Sequence, residues 1–159
     1  MELSAVIVGA RELAVAFDKV WETVKEETTQ AVVKATIEAK NKAQELSPID
    51  MGKLRASITY EAPLYTSKGT MGRVGTNTMY ARYMEEGTRP HFPPVSALKG
   101  WAKRVLGNEN LAYVVAKKIA QRGTKGRFYF KGALEYAQPI LDSKLREALG
   151  NIVNKLATG

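Results

Sequence analysis

The longest regular pattern in the chain is a helical one that runs from Ala10 to Leu46 and stops against Pro48. Because a residue before proline is driven out of the α region, the helix is predicted to end at Ser47. Apolar or small residues recur at spacings of three and four and form one stripe on this helix, widened by Trp21 and Val32: Leu13, Phe17, Val20, Val24, Thr28, Ala31 and Ala35. From Ala31 onward the stripe consists of alanines, which permit close approach of another backbone. We expect that backbone to belong to the same subunit rather than to a neighbouring one.

Composition limits the class of protein. A chain of 159 residues fits one domain, 1–159, with 45% hydrophobic and 25% charged residues. Cysteine is absent and His91 is the single histidine, so disulfides, thiolate metal sites and multi-histidine centres are excluded. No apolar run approaches the roughly 20 residues that span a bilayer, and the first residues lack the features of a signal peptide. We therefore expect no membrane association and a cytosolic site of synthesis.

The net charge of +8 is concentrated in one segment. Residues 89–131 contain ten lysines and arginines and one acid, for a net charge of +9, whereas residues 1–50 carry −3. Such a block indicates an anionic partner, either nucleic acid or an acidic protein surface, or simply a solvated face. The candidate contact residues are Lys99, Lys103, Arg104, Lys117, Lys118, Arg122, Lys125 and Arg127.

A turn-rich phrase follows the long helix. Asp50 is predicted to cap a short helical turn over residues 51–54, and Gly52 gives the chain freedom where it swings into a strand. Alternation of Ala56, Ile58, Tyr60 and Ala62 with polar residues predicts a strand with one buried face, which Pro63 should end. A turn at 67–69 then leads into a second strand, 70–76, with Val74 inward, so the pair reads as an antiparallel hairpin.

The second half of the sequence is predicted to be helical. Residues 80–87 fit one or two helical turns closed by Gly87. A basic insertion, 89–126, should contain two amphipathic helices that stop at Gly107 and Gly123. Residues 128–130 are either a short strand or an aromatic anchor in the core. The last helix presents Leu141, Leu145, Ala148, Leu149, Ile152 and Leu156 on one face, with Pro139 in its first turn or at a kink. The predicted fold class is α+β: a small antiparallel sheet packed against long N- and C-terminal helices.

No pattern in the chain is typical of catalysis. The glycines of residues 69–75 lack the Gly-Lys-Ser/Thr ending of a phosphate loop and favour a hairpin. Glu85 and Glu86 are adjacent on a helix, so their side chains diverge by about 100° and cannot share one site. Tyr80 and Tyr83 beside Arg82 could stack on bases, but packing against the core with a wet hydroxyl is the stronger interpretation. We therefore predict no catalytic residues, no metal and no cofactor.

The ordered phrases resemble a known family, the tail-completion or head–tail joining (neck) proteins of long-tailed bacteriophages. The resemblance rests on three phrases in order, with an aromatic–Ala–Leu opening to the last helix: Pro48, Asp50, Gly52, Leu54, Ser57 and Ile58; Val74, Gly75 and Thr76; Tyr80, Ala81, Tyr83, Glu85, Gly87 and Thr88; then Phe130, Ala133 and Leu134. It implies a virion structural protein without catalysis, assembled in the host bacterial cytoplasm. It also implies a ring, commonly sixfold, between the head connector and the tail tube or tail terminator, with DNA passing through without sequence recognition.

Within such a ring the phrases would fix local geometry, because the contacts of a closed ring must repeat without error. Asp50, Gly52, Gly75 and Gly87 are the residues expected to set it. Glu85 is expected to pair with a basic residue such as Arg55 or Arg82, within or between subunits. The competing hypothesis from the charge pattern is a non-specific nucleic-acid-binding protein that uses residues 89–131.

Overall fold

The computed structural model describes residues 10–66 and 69–158. It is rich in helix and contains two antiparallel two-stranded sheets, β1–β2 and β3–β4, which confirms the α+β class. In chain order the elements are α1 (Ala10–Leu46), α2 (Lys53–Ser57), β1 (Ile58–Thr66), β2 (Gly69–Thr76), α3 (Ala81–Glu86), β3 (Gly87–Thr88), α4 (Val95–Leu106), α5 (Leu111–Arg122), β4 (Thr124–Lys125) and α6 (Tyr129–Thr158). Residues 67 and 68 of the expected turn lie outside the described residues, as does the side chain of Leu13.

The two long helices, α1 and α6, pack against each other in antiparallel directions. Ala43, near the end of α1, shares a core cluster with Ala133 at the start of α6. At the other end, the Glu27 carboxylate accepts hydrogen bonds from Asn151 (3.0 Å) and Lys155 (2.7 Å) of α6. The alanine stripe of α1 is thus used within the subunit, as expected: Ala31, Ala35 and Ala43 are buried.

Strands β1 and β2 form the predicted hairpin, which lies along α1. The ladder pairs Ile58 with Thr76 at one end and Thr66 with Gly69 at the other. Gly72 faces Thr36 of α1 so closely that a β-carbon there would collide with the threonine side chain. The expectation that Pro63 ends β1 is wrong, because the strand continues to Thr66. A register shift between Glu61 and Leu64 leaves Pro63 outside the ladder, where its missing N–H costs no hydrogen bond.

The core lies where α1, the hairpin and the start of α6 meet. Its cluster consists of Ala43, Leu54, Ile58, Ala81, Tyr129 and Ala133, with Val74, Met84 and Phe130 packed against it. The predicted buried face of β1 is only partly right: Ile58 is buried, but Tyr60 and Ala62 are exposed. Ala56 belongs to α2 rather than to the strand. A period of two identifies which side chains share a face, but it does not say how far the covering helix reaches.

The aromatic segment 128–130 is an anchor rather than a strand. Tyr129 is fully buried at the start of α6, and its ring lies 4.7 Å from that of Phe130. Phe128 takes a positive φ of 51°, which turns the chain into the helix. Pro139 lies inside α6, well beyond the first turn, and α6 continues through it.

The insertion is a pair of helices, as predicted. α4 ends at Gly107, whose φ is 72°, and α5 ends at Gly123, whose φ is 67°. The two ends of the insertion lie next to each other, because β3 pairs with β4: Gly87 pairs with Lys125, and Thr88 pairs with Thr124. The chain therefore leaves and re-enters the rest of the fold at one place.

Candidate interaction groove

Glu85 holds the N-terminus of α6. Its carboxylate accepts the main-chain N–H groups of Phe130 (2.9 Å) and Lys131 (3.0 Å), two donors that a helix start leaves without intrahelical partners. Within the subunit, Glu85 therefore does not pair with Arg55 or Arg82, and a pairing between subunits stays a prediction. Arg82 instead binds Glu86 at 3.0 Å on an exposed face of α3. The two adjacent carboxylates do diverge, as their helical spacing predicts.

Asp50 does not cap a helix. The residue that precedes α2 is Gly52, with a φ of 74° and no side-chain cap. Asp50 instead accepts two hydrogen bonds from the guanidinium of Arg104, at 2.8 Å from Nε and 2.6 Å from Nη2. This bond lowers the pKa of the Asp50 carboxyl and raises the pKa of Arg104. A tether of two parallel bonds thus joins the first phrase to α4 of the insertion.

Gly87 meets a backbone constraint where α3 passes into β3, opposite β4. Its φ is 84°, and a β-carbon there would collide with the carbonyl of Thr124. Beside it, the hydroxyls of Thr88 and Thr124 lie 3.1 Å apart. Gly75 is different: a side chain at this position would meet open space, and nothing in the structure explains why glycine is present.

The other residues of the phrases support the hairpin. Thr76 shares a 2.6 Å hydroxyl contact with Ser57, and Val74 packs against the core. Leu54 is buried in the core. Arg55 donates from Nη2 to the carbonyl of Glu45 at 3.2 Å, which ties α2 to the end of α1. These residues set local geometry rather than forming a site of their own.

A groove of about 1070 Å³ opens between the first phrase, α3 and the insertion. We call it the central groove. Its lining comes from four parts of the chain: residues 48–54; Tyr80, Tyr83 and Met84 around α3; Leu98, Trp101 and Val105 of α4 with Val115, Lys118 and Ile119 of α5; and residues 124–127. Most of these side chains are apolar or aromatic, so the groove suits the apolar face of a protein segment.

The rim of the central groove is basic. Lys53, Lys118, Lys125 and Arg127 all line it and are exposed, while its one acid, Asp50, is neutralised by Arg104. Of the predicted basic contact residues, Lys118, Lys125 and Arg127 therefore meet at this groove. Lys99, Lys103, Lys117 and Arg122 are exposed outside its lining. Arg104 is committed to the tether.

Sequence reasoning placed Pro48, Asp50, Gly52, Leu54, Tyr80 and Tyr83 in the phrases, and the structure brings all six to this groove. It missed the apolar residues that make up the floor, in particular Met51, Trp101 and Ile119. The sequence did contain one sign of an apolar surface at this place. Ile49 and Met51 are large apolar residues in a turn, and no pattern predicts that they are buried in the core. Both are exposed in the structure.

Metal sites, membrane-spanning helices and smaller cavities are the other features to consider among the described residues. Residues 10–66 and 69–158 contain no cluster of three or more potential metal ligands. None of the helices in those ranges is long and apolar enough to cross a membrane. A second, small cavity of about 80 Å³ lies between α1 and α6 beside Glu27, Lys144 and Asn151.

Comparison with known proteins identifies one family. Residues 11–87 match the family model described as "Bacteriophage HK97-gp10, putative tail-component". No curated protein and no solved structure gave a significant match. The matched range covers α1, the first phrase, the hairpin and α3, and it ends at Gly87, where the insertion is about to begin. Over just under half of its length the chain thus carries the sequence pattern of the HK97-gp10-like bacteriophage tail components, which confirms the resemblance drawn from the ordered phrases.

Proposed function

We propose that the protein is a non-enzymatic structural component of a phage virion, which completes the tail and joins it to the head. The observation that carries the proposal is the central groove. The first phrase, Tyr80 and Tyr83 of the third phrase, and the basic insertion line the same largely apolar surface. An extended groove with an apolar floor and a charged rim is suited to binding another protein.

The protein would act as a ring of identical subunits, sixfold in the virion, between the head connector and the tail tube or tail terminator. Its insertion then contributes the surface that differs most in charge from the rest of the chain, at +9 over residues 89–131. DNA passes through such a ring without being read. The protein is made in the bacterial cytoplasm and ends in the virion.

Removal of the gene from a phage that carries it tests this role. Electron microscopy of the lysate should show filled heads and separate tails, and expression of the protein in trans should restore joined particles. The purified protein should also bind isolated tails or head connectors in a sedimentation assay. Normal virions from the deletion strain would contradict the proposal.

Binding of nucleic acid is the second candidate function, and exposed cations outside the groove favour it. Lys99, Lys103, Lys117 and Arg122 are all exposed on the insertion. A salt series of DNA binding distinguishes the two candidates, because phosphate contacts give a steep loss of affinity with salt. Micromolar affinity with such a slope, together with no binding to tails or connectors, would favour the nucleic-acid role.

A further inference from the structure

We infer that the central groove of one subunit binds the N-terminal part of α1 from the next copy of the chain. The inference rests on the proposed assembly into a ring and names the contact that builds it. It starts from the two ends of α1. The N-terminal end projects beyond the described elements that pack on α1. The C-terminal end, at Leu46, leads directly into residues 48–54, which line the groove.

Among the described residues, the N-terminal part of α1 extends past the elements that pack on the rest of the helix. The contact between Glu27 and Lys155 lies within one turn of the end of α6 at Thr158. Near the far end of β1, Tyr65 contacts Trp21 edge to face at 6.0 Å. Since α1 begins at Ala10, residues 10–20 continue for about 16 Å at 1.5 Å per residue. We call residues 10–22 the arm.

The arm carries an aromatic row that the described residues leave more than half exposed. Phe17 is 65% exposed and Trp21, one turn later on the same face, is 54% exposed. Aromatic residues at such spacing are typical anchors for a helix that lies in a groove. The central groove offers matching apolar side chains, of which Met51 and Tyr83 are each 59% exposed.

Charge favours the same pairing. Asp18 and Glu22 form an acidic row directly beside the aromatic row on the arm, because each follows its aromatic neighbour by one residue. The rim of the groove presents Lys118, Lys125 and Arg127, with Lys53 on the side of the first phrase. With the aromatic row on the floor, the acidic row faces this basic rim.

An arm cannot reach the groove of its own subunit. Between Trp21 and Pro48, α1 spans about 37 Å and its second half is held along α6 and the hairpin. Arm and groove are therefore different surfaces at opposite ends of one rigid helix. Such a pair makes a head-to-tail contact, which closes into a ring when the rotation between subunits permits.

Mass photometry and light scattering of the full chain test the contact. Phe17→Asp should raise the dissociation constant between subunits about thirtyfold or more, as loss of a buried aromatic anchor does. Val15→Asp is the matched control, because Val15 is 63% exposed on the opposite side of the same helix. It should assemble like the wild type. Tyr83→Asp disrupts the groove while leaving the arm intact.

A mixing experiment makes the test specific. Phe17→Asp retains its groove and Tyr83→Asp retains its arm, so each should be monomeric alone and the mixture should stop at a one-to-one dimer. Lys118→Glu should weaken assembly, and Asp18→Lys in the same chain should restore it. Circular dichroism verifies that each variant is folded.

The outcomes separate the two proposals. Wild-type rings that persist in Phe17→Asp, or that Val15→Asp disrupts equally, overturn the arm–groove contact but not the role in the tail. A wild-type protein that stays monomeric up to its solubility limit overturns the contact and the ring together. Failure to bind tails or connectors, with rings that respond as expected, leaves the contact intact and contradicts the proposed function.

Discussion

The carboxylate of Glu85 lies 2.9 Å from the main-chain nitrogen of Phe130 and 3.0 Å from that of Lys131, so one side chain of α3 caps a helix that begins 44 residues after it. We expect Glu85→Ala to lower the free energy of unfolding by about 1–2 kcal/mol, because two helix donors lose their acceptor. Urea denaturation measures this change. Glu86→Ala is the control: it removes only an exposed ion pair with Arg82 and should leave the midpoint nearly unchanged. Equal effects of the two variants would contradict the capping role.

The buried phenol of Tyr129 should lose its proton at a higher pH than an ordinary tyrosine does. Burial, and secondarily the nearby charge of Glu85, raise the pKa of Tyr129 from 10.0 to about 12. Because the folded pKa is raised, the stability contributed by this group is complete below pH 10 and is lost as the pH rises toward 12. Absorbance at the tyrosinate band should show one late phase that disappears in Tyr129→Phe.

The same variant tests the hydrogen bond of Tyr129. Its hydroxyl donates to the carbonyl of Ala81 at 3.3 Å, so Tyr129→Phe should cost about 1 kcal/mol. Tyr129→Ala should cost about 3–5 kcal/mol, because it empties the centre of the core. A titration curve that is the same in the wild type and in Tyr129→Phe above pH 10 would show that the phenol of Tyr129 is not buried.

Gly87 is predicted to resist substitution. Its φ of 84° is unfavourable for other residues, and a β-carbon would collide with the carbonyl of Thr124, so Gly87→Ala should destabilise the protein by about 1–3 kcal/mol. Gly150→Ala is the matched control, since Gly150 lies in α6 and a side chain there meets nothing within 4 Å. It should instead stabilise the protein by about 0.8–1 kcal/mol through helix propensity. Thermal melts of both variants measure the contrast.

The tether between Asp50 and Arg104 should control the motion of the insertion. Asp50→Asn is expected to increase amide hydrogen exchange in α4 and α5, with little change in α1 and α6. Because the pKa of Asp50 is lowered by its bond to Arg104, the tether is present above pH 3.8 and is lost as the pH falls further. Lys99→Gln, which removes an exposed cation of α4 outside the groove, is the control. Uniform exchange changes across the chain would contradict a local tether.

Glu27 should make the packing of α1 on α6 sensitive to acid. Its pKa is lowered, first by the hydrogen bond from Lys155 and then by that from Asn151. The stability it contributes is present above the ordinary value of 4.5 and is lost as the pH falls through the lower folded pKa. A series of thermal melts between pH 7 and pH 3 should show a weaker acid dependence in Glu27→Gln than in the wild type. Identical slopes would contradict this assignment.

Local signals predicted most of the elements. The end of α1, the stops at Gly107 and Gly123 and the hairpin all follow from helical periodicity, glycine and the residue before Pro48. Errors arose where a partner distant in sequence determines what a residue does. Asp50 has the sequence context of a cap, yet Arg104, 54 positions away, binds it. Glu85 was expected to pair with a basic side chain such as Arg55 or Arg82, although its partners within the subunit are main-chain donors that side-chain patterns do not reveal.

The central groove could not be predicted from the sequence either. The phrases identified Tyr80, Tyr83 and the 48–54 turn, and the charge count identified the insertion, but nothing indicated that they share one surface. That proximity depends on the pairing of Thr88 with Thr124 and on the tether to Asp50. Both contacts connect segments whose separation in the chain hides them from any periodic pattern.

The pairing of β3 with β4 has a consequence for how this chain can vary in length. Neighbouring strands lie about 4.8 Å apart, so residues 89–123 leave and return through an opening one strand spacing wide. A tight turn could bridge that opening without displacing α3 or α6. We therefore expect the two-helix insertion to tolerate shortening, exchange or enlargement while the joints that Glu85 and Gly87 maintain keep their positions.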